Sequence, residues 1–512
     1  MFQDLATANV ILGPPGCGKT HTLIEIVKDA LDRGISSESI GFVSFTKKAV
    51  TEAQTRAGAA FNLLPQEMPF FKTLHAMGYM MLGMQREDVM SRADWRAFAA
   101  ELGTQINGPS EQFLEDGALL PTGMAAGDKY LRVIERAKMR CLTLEQEYNE
   151  GQHYGLDFSM MQRFNQLLDV YKAQLNKFTF VDMLDRFLDY GEVPRLRLLI
   201  VDEAQDLVPL QWLVVHKLAM NADEVYIAGD DDQAIHRWAG AQPSTFISLS
   251  RDPRILTQSY RLPRSVFHVA RNLVNRIEDR VEKQYNPLDE EGEVRYYHSP
   301  RYVDFSSGSW SYLARTNKMV TDLAETMRDE GYMYSIKGNP SVNKDVAQAI
   351  RSWEHLCNGG AIDLRAVKSM YQLMPKQGSK ATLRRGATKL LDAAAGADSF
   401  TLAQLGEHYG CLATPDTHAY DVLNLGLDDR LYIDALRRRG EVIWNEPRIK
   451  LSTIHAMKGG EDDNVALYLG WTWACSESEF PSDEHRVFYV GATRARHNLH
   501  IIEGCERYNY AL

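Results

Sequence analysis

A glycine-rich loop near the start of the chain carries residues that can bind phosphate. It is formed by Gly13, Pro14, Pro15, Gly16, Cys17, Gly18, Lys19 and Thr20. An apolar run at 9–12 precedes the loop and an amphipathic run at 21–31 follows it, which predicts a strand, a turn and a helix. Glycines let successive backbone N–H groups converge on a phosphate, and the helix N-terminus adds partial positive charge. We therefore expect a nucleoside triphosphate here, with Lys19 on its β- and γ-phosphates and Thr20 on Mg²⁺.

Carboxylates and an amide follow two further apolar runs. The run at 196–201 ends in Asp202 and Glu203, and adjacent carboxylates at the end of a buried strand are costly unless they bind a cation or water. Beside a phosphate loop, Asp202 would hold Mg²⁺ and Glu203 would polarise the attacking water. The run at 224–228 leads through three aspartates to Gln233, whose amide could sense the γ-phosphate. The three aspartates could instead form a metal site, although the phosphate loop already implies a position for the metal.

Composition restricts the class of protein. With 512 residues, 45% of them hydrophobic and 24% charged, the chain is typical of a globular protein with about two to four domains. The net charge of −11 disfavours a protein that coats nucleic acid non-specifically but allows a local basic groove. Six scattered cysteines without a CxxC pair argue against a zinc site or a disulfide framework. Because a basic leader and a long apolar run are missing, we expect a cytoplasmic protein.

Strand and helix patterns predict an α/β fold with helical insertions. A strand at 40–45 ends in Phe45, Thr46 and Lys47, which should face a crevice because ligands bind at the carboxyl ends of parallel strands. An ordinary strand end with solvated lysines is the alternative. Residues 71–178 and 346–440 are rich in helix-periodic stretches. Within the second of these, the basic stretch 376–389 could contact duplex or form a solvated helix face.

Nine short motifs occur in order between residues 13 and 499. They read GPPGCGKT, SFTKKA, TLHAMG, VDEAQD, GDDDQAIHRWAGA, LTQSYRLP, YLARTN, IKLSTIHAMKGGEDDNV and VFYVGATRARHNL. In this order they resemble the motifs of the UvrD/Rep/PcrA group of superfamily 1 (SF1A) DNA helicases. The resemblance implies two RecA-like parallel-sheet domains, each with a mainly helical insertion. The implied ranges are 1–70 with 179–254 for the first RecA-like domain (1A), 71–178 for its insertion (1B), 255–345 with 441–512 for the second (2A), and 346–440 for its insertion (2B).

The same resemblance assigns roles to single residues. The implied catalytic set is Lys19, Glu203, Gln233, Arg261 and Arg494. The two arginines would be arginine fingers, because a planar, permanently charged guanidinium suits the charge that develops on the γ-phosphoryl group. Tyr260 would stack on the adenine of ATP and Glu461 would lie near the ribose. Contacts with the DNA strand would come from Phe45, Thr46, Lys47, Thr73, His75, Trp238, Arg315, Asn317, Thr453 and His455. Trp238 would stack on a base, with packing in a domain core as the structural alternative.

The activity implied by the resemblance is that of an ATP-dependent DNA helicase. It would travel 3′→5′ on single-stranded DNA and unwind duplex. The alternatives are a translocase that displaces proteins with little intrinsic unwinding, and a DNA-binding loader or scaffold that ATP switches. Expected partners are single-stranded DNA, junctions of single-stranded and duplex DNA, and replication or repair proteins, in a bacterial or phage-infected cytoplasm and without a membrane. Gln3 is a poor match to the family's upstream adenine-recognising glutamine, which leaves other nucleoside triphosphates open as substrates.

Overall fold

The chain folds into two compact units. The computed structural model describes residues 5, 7–108, 125–151, 153–392, 399–476, 481–504 and 507–512. Gln3 and parts of both expected insertions lie outside the described residues. The first unit contains Met1–Glu293 with Glu477–Thr493, and the second unit contains Val294–Ser476 with Arg494–Leu512. The division assigns residues 255–293 to the first unit, whereas the family resemblance assigned them to the second RecA-like domain.

A parallel sheet forms the centre of the first unit. Its described strands are β1 (Asn9–Leu12), β2 (Ile40–Ser44), β3 (Phe71–Thr73), β4 (Leu196–Asp202), β5 (Ala222–Gly229) and β6 (Arg254–Ile255). They lie in the order β3-β2-β4-β5-β1-β6, and the pairings are parallel. β2 is buried along its whole length, as an apolar strand covered on both faces should be. Because the strands are parallel, the loops after β1, β2, β4 and β5 meet at one edge of the sheet.

Helices cover this sheet and form a separate body between β3 and β4. The described helices are α1 (Lys19–Asp32), α2 (Lys47–Phe61), α3 (Leu74–Met81), α4 (Arg92–Leu102), α5 (Ala126–Met139), α6 (Leu144–Glu150), α7 (Phe158–Leu175), α8 (Phe180–Tyr190), α9 (Pro209–Ala219), α10 (Pro243–Leu249) and α11 (Arg264–Val274). α4, α5 and α7 share a hydrophobic core of their own, which includes Trp95, Ile134 and Phe164. The first insertion was expected to begin at residue 71, but the residues of β3 belong to the sheet. Phe71 pairs with Phe42 of β2, and the two rings stack.

The second unit also contains a largely parallel sheet. Its described strands are β7 (Glu293–Tyr297), β8 (Trp310–Ala314), β9 (Tyr334–Ile336), β10 (Asn339–Pro340), β11 (Ala361–Ile362), β12 (Phe400–Thr401), β13 (Ile449–Thr453), β14 (Asp462–Tyr468) and β15 (Ala495–Ile502). The order is β10-β9-β13-β8-β14-β15-β7, and β11 pairs with β12 separately. β9, β13, β8, β14 and β15 run parallel, whereas β10 is antiparallel to β9. The predicted α/β class with parallel sheets is confirmed.

The helices of the second unit pack on its sheet. The described ones are α12 (Asn317–Asp329), α13 (Lys344–Cys357), α14 (Leu364–Leu373), α15 (Ala387–Asp392), α16 (Leu402–His408), α17 (Ala419–Val422), α18 (Leu427–Arg438) and α19 (Trp473–Ser476). Trp353 of α13 and Val367 of α14 belong to the same hydrophobic cluster as Tyr312 of β8. The last described helix, α20 (Pro481–Ala492), belongs to the first unit, where it packs on α11. Among the described helices, none combines the length and the apolar content that crossing a bilayer requires.

Candidate functional site

The loop between β1 and α1 is shaped to receive an anion. Gly16 and Gly18 adopt left-handed backbone conformations, with φ of +71° and +73°, which glycine tolerates best. α1 starts without a side-chain cap on Gly18 and without an acidic residue in its first turn. The helix N-terminus therefore keeps its backbone N–H groups and its partial positive charge for a ligand. A Cβ added at Gly13 would lie 2.8 Å from the Cβ of Lys19, so the lysine side chain packs closely over the loop.

Lys19 faces the two carboxylates at the end of β4. Its Nζ lies 3.0 Å from Glu203 Oε1. Burial by itself would lower the pKa of Lys19, but neighbouring carboxylates, Glu203 foremost, raise it above its ordinary value, so the ammonium stays charged. Burial raises the pKa of Asp202 to about 7, against the lowering effect of Lys19. A buried carboxylate of this kind is stabilised by a cation, so Asp202 fits the expected Mg²⁺, with half-buried Thr20 directly after Lys19.

Glu203 has a left-handed backbone conformation, and a neighbouring amide binds its carboxylate. Its φ is +55°, a left-handed conformation that costs a non-glycine residue about 1–2 kcal/mol. Gln205 Nε2 donates to Glu203 Oε2 over 2.6 Å, and Gln205 Oε1 accepts from the backbone N–H of Asp230 over 2.9 Å. A Cβ at Gly229 would overlap this amide oxygen. The fully buried Gln205 thus joins the ends of β4 and β5, a role that the sequence reasoning did not assign to it.

The three aspartates after β5 are buried around a lysine. Asp230, Asp231 and Asp232 are at most 1% exposed. Lys283 Nζ lies 3.3 Å from Asp230 Oδ1 and 2.9 Å from Asp232 Oδ2, and it also contacts Asp231. The alternative of a metal site on these aspartates is wrong, because an ammonium group occupies their centre. In the part of the chain that the structure describes, no group of three or more His, Cys, Asp or Glu side chains could hold a metal ion.

Gln233 lies in the same turn as the aspartates. Its Nε2 donates to Asp230 Oδ2 over 2.6 Å, and the side chain is largely buried. The amide is therefore oriented by Asp230, which is itself bound by Gln205 and Lys283. The sequence reasoning missed Lys283, because it lies 52 positions after Asp231 and no local pattern distinguishes it.

A segment that follows β6 runs along the phosphate loop. Ser259 Oγ donates to the carbonyl of Pro15 over 2.8 Å. The backbone N–H of Tyr260 donates to the carbonyl of Gly16, also over 2.8 Å. Gly16 has no space beside it, since an added Cβ would overlap the Cβ of Arg261. The structure therefore brings both Tyr260 and Arg261 to the loop within the first unit.

The side chains of Arg261 and Tyr260 differ in burial and in the contacts that they make. Half-buried Arg261 donates from Nη1 to the carbonyl of Thr493 over 3.4 Å. Burial and Asp230 raise the pKa of Cys17 to about 12, and the positive charge of Arg261 opposes the rise. Tyr260 is 72% exposed, so its ring can stack on a planar ligand. Their roles toward a nucleotide stay predictions.

Arg494 and Glu461 lie in the second unit. Arg494 is 1% exposed, and its Nη1 donates to the carbonyl of Gly460 over 3.1 Å. Its own carbonyl accepts from the N–H of Asp462 over 3.1 Å, so the start of β15 is tied to the start of β14. Glu461 is exposed and lies 3.7 Å from the guanidinium of Arg496. The finger and ribose roles of Arg494 and Glu461 stay predictions.

An exposed tryptophan lies on a turn that follows the aspartates. Trp238 is 43% exposed, on the short helical turn Arg237–Ala239, so the alternative of core packing does not describe it. Its ring centroid lies 6.4 Å from that of His236, which in turn lies 5.3 Å from the ring of Phe45. Phe45 is only 5% exposed. Its ring therefore supports this surface from below and is not presented on it.

Four further candidates of the first unit lie at helix starts. Thr46 caps α2 by accepting from the N–H of Ala49 over 3.2 Å, and Thr73 caps α3 in the same way. Lys47, the first residue of α2, is exposed. Burial lowers the pKa of His75 to about 4, so this imidazole is neutral at physiological pH. The two threonines thus have a structural task, and contacts of all four with DNA stay predictions.

The candidates of the second unit meet at the carboxyl edge of its sheet. Ala314 at the end of β8 pairs with Thr453 at the end of β13, so half-buried Arg315 follows directly beside that threonine. Asn317 is exposed in the first turn of α12, and His455 is half-buried two residues after β13. Their contacts with a DNA strand stay predictions.

Two family models match the chain. The model described as UvrD/REP helicase N-terminal domain matches residues 2–254, and the model described as UvrD-like helicase C-terminal domain matches residues 423–504. Together the two matches cover more than half of the chain.

Curated relatives are similar at low identity. The putative ATP-dependent DNA helicase YjcD of Bacillus subtilis (strain 168) is 23% identical over 363 residues, which are 64% of this chain and 46% of the relative. The ATP-dependent DNA helicase PcrA of the same organism is 22% identical over 363 residues, 64% and 48% of the two chains. The ATP-dependent DNA helicase Rep of Salmonella typhimurium (strain LT2) is 26% identical over 296 residues, 52% and 40% of the two chains. The chain spans about half the length of the curated relatives it matches.

Proposed function

We propose that this chain, which belongs to the UvrD/Rep/PcrA-like helicases of superfamily 1, is an ATP-driven motor on DNA. It hydrolyses ATP, moves along single-stranded DNA and unwinds duplex. The observation that carries the proposal is the convergence of Lys19, Glu203 and Arg261 on one phosphate loop. An anion in this loop is close to an ammonium, a guanidinium and backbone N–H groups. Together these groups stabilise a bound triphosphate more than they stabilise a neutral ligand.

Binding of ATP changes the partner of Lys19. The β- and γ-phosphates carry more negative charge than one carboxylate, so they take the ammonium from Glu203. The released carboxylate then orients the attacking water and accepts its proton. Gln205 keeps one oxygen of Glu203 in place during this exchange, because its bond does not involve the lysine.

Charge on the transferred phosphoryl group needs further cations. Arg261, which lies beside the loop, meets this need in the first unit, and a guanidinium keeps its charge at every working pH. Mg²⁺, when bound by Thr20 and Asp202, neutralises charge on the phosphates. The second finger Arg494 and the ribose contact Glu461 complete the proposed set.

Binding of the DNA strand depends on an aromatic side chain near the hydrolysis site. Trp238 follows Gln233 by five residues and is exposed. Stacking of a base on such a ring contributes about 1–3 kcal/mol to the binding free energy, which is enough to bind a strand and weak enough to release it. A change at Gln233 on hydrolysis can therefore reach the tryptophan through one short stretch of chain. Travel in the 3′→5′ direction is part of the proposal by family resemblance.

Turnover with and without single-stranded DNA tests the proposal. We expect oligo-dT to stimulate ATP hydrolysis by wild-type protein and Trp238→Ala to weaken oligo-dT binding by about 1–3 kcal/mol while basal hydrolysis is kept. Trp473→Ala is the matched control, since Trp473 is also exposed and lies outside the proposed site. Wild-type protein that does not hydrolyse ATP contradicts the proposal. Loss of basal hydrolysis in Trp238→Ala would instead identify the tryptophan as a structural residue.

Forked substrates distinguish unwinding from the alternatives. Strand separation on a fork with a 3′ tail, and its absence with a 5′ tail, supports a 3′→5′ helicase. Stimulated hydrolysis without strand separation, together with removal of a bound protein from the strand, identifies a translocase. Binding of DNA that ATP changes without turnover identifies a switched loader. Oligo-U in place of oligo-dT decides between DNA and RNA.

A further inference from the structure

A buried lysine binds the turn that contains Gln233. Lys283 contacts all three aspartates of the turn, and its side chain is fully enclosed. A buried ammonium is costly unless carboxylates surround it, and buried carboxylates are equally costly without a cation. Removing either side of this arrangement therefore leaves unpaired charge. The lysine and the turn hold each other in one geometry.

The contact with Asp230 has a consequence for the hydrolysis site. Asp230 Oδ1 faces Lys283 at 3.3 Å, and its Oδ2 accepts from the amide of Gln233 at 2.6 Å. The backbone N–H of Asp230 donates to Gln205, which donates to Glu203. Asp230 thus connects the buried cation to the proposed γ-phosphate sensor through its carboxylate, and its backbone N–H leads through Gln205 to the proposed base.

Two arginines also bind this turn, and among the described residues neither of them makes a bond to Asp230. Arg280 binds Asp232 with two bonds, from Nε at 2.7 Å and from Nη2 at 2.9 Å. Arg486 of α20 donates from Nε to the carbonyl of Asp231 over 3.0 Å. Both arginines stabilise the turn, but neither binds the Asp230 carboxylate, which orients Gln233.

We propose that Lys283 is a positioning residue for ATP hydrolysis, which holds Asp230 so that this carboxylate orients the amide of Gln233. The inference rests on the proposed function. Without the ammonium, the bonds left to the Asp230 carboxylate in the described part of the chain come from the amide of Gln233 and the backbone N–H of Asp232. Repulsion from Asp231 and Asp232 then displaces it. The amide then leaves the position from which it senses the γ-phosphate. Lys283 acts through Asp230 and does not touch the substrate.

The test compares two substitutions that remove one cation each from the same cluster. Lys283→Met takes away the contact with Asp230, whereas Arg280→Met takes away a contact with Asp232 only. We expect Lys283→Met to lower kcat by about 10- to 100-fold, since a displacement of about 1 Å has effects of this size. The KM for ATP should change by less than about threefold, because Lys19 and the loop are intact. Arg280→Met should keep kcat within about threefold of wild type.

The pH profile of kcat separates positioning from a loss of structure. Asp230 is faced by Cys17 and Lys19 of the phosphate loop, Asp231 and Asp232 of its own turn, Lys283 and Tyr285 after α11, and Tyr489 of α20. Burial already raises the pKa of Asp230, and Lys283 opposes the rise. Its removal raises that pKa further, so the acidic limb of the profile moves to higher pH in Lys283→Met. A merely structural lysine would lower kcat equally at every pH.

A second variant keeps the test valid if Lys283→Met does not fold. Lys283→Met with Asp231→Asn restores the net charge of the cluster and still leaves Asp230 without its cation. We expect this double variant to fold and to keep the low kcat. Wild-type kcat and pH profile in either folded variant overturns the inference, as does an equal loss in Arg280→Met. Wild-type protein without any turnover overturns the proposed function itself, so the two failures are distinguishable.

Discussion

Two lysines of the first unit face carboxylates in different surroundings. Lys19 has 11% of its side chain exposed, and its partner Glu203 has 24% exposed. Lys283 and the aspartates around it are sealed, with no more than 2% of any of these side chains exposed. In both cases burial would lower the pKa of the lysine, and the carboxylates raise it above its ordinary value. The lysines therefore differ in access and in number of partners, and not in charge.

This difference separates a ligand-binding group from a positioning group. An accessible ammonium with one carboxylate partner can exchange that partner for a phosphate at little cost. A sealed ammonium with three partners cannot, because every exchange would leave buried charge unpaired. Under the proposed function, Lys19 therefore contacts the substrate and Lys283 fixes the geometry of the residues that act on it.

Glu203→Gln gives the largest expected effect. The amide has the size of the carboxylate but cannot accept the proton of the attacking water, so turnover should fall by about 10²–10⁴-fold. Binding of a fluorescent ATP analogue should be kept, because Lys19 then loses the ion-pair partner that competes with the phosphates. Steady-state hydrolysis and a binding titration measure the two quantities. Turnover within tenfold of wild type would show that another group is the base.

The stability of two lysine variants should reflect their burial. Lys283→Met should lower the free energy of unfolding by about 3–5 kcal/mol, because buried Asp230 and Asp231 lose their cation and Asp232 keeps only Arg280. Lys19→Met should lower it less, because 24% of the side chain of its ion-pair partner Glu203 is exposed and solvent compensates part of that charge. Urea unfolding without nucleotide, followed at the transition of the first unit, measures both. Equal losses would remove the distinction between the two lysines.

Stabilisation of the folded protein by bound nucleotide is the smallest of the three expected effects. ATP with Mg²⁺ at about a hundred times its Kd should stabilise the wild-type protein by about 2.7 kcal/mol. This gain should disappear in Lys19→Met, which loses the contact with the phosphates. It should persist in Arg280→Met, whose guanidinium binds only within the protein. Protection that survives in Lys19→Met would mean that the phosphates bind elsewhere.

Local patterns predicted most of the fold and the core of the site. Apolar runs predicted strands at 9–12, 196–201 and 224–228, and the structure has strands there as β1, β4 and β5, the last two ending one residue later. Parallel pairing then brings the loops after them to one edge, as expected. The helical insertions were predicted from periodicity, but their different packing was not. One forms a core of its own and the other shares the core of its sheet, which depends on contacts between distant segments.

The phosphate loop, the carboxylate pair and their order along the chain were determined by the sequence itself, because each rests on neighbouring residues and their backbone geometry. Only the tertiary structure decided what surrounds the three aspartates. Local sequence offered a metal site as an alternative for them, and folding brought Lys283 into their centre from 52 positions away. The physical reason is that buried charge must be compensated in space, and the compensating group can come from any part of the chain that packs there.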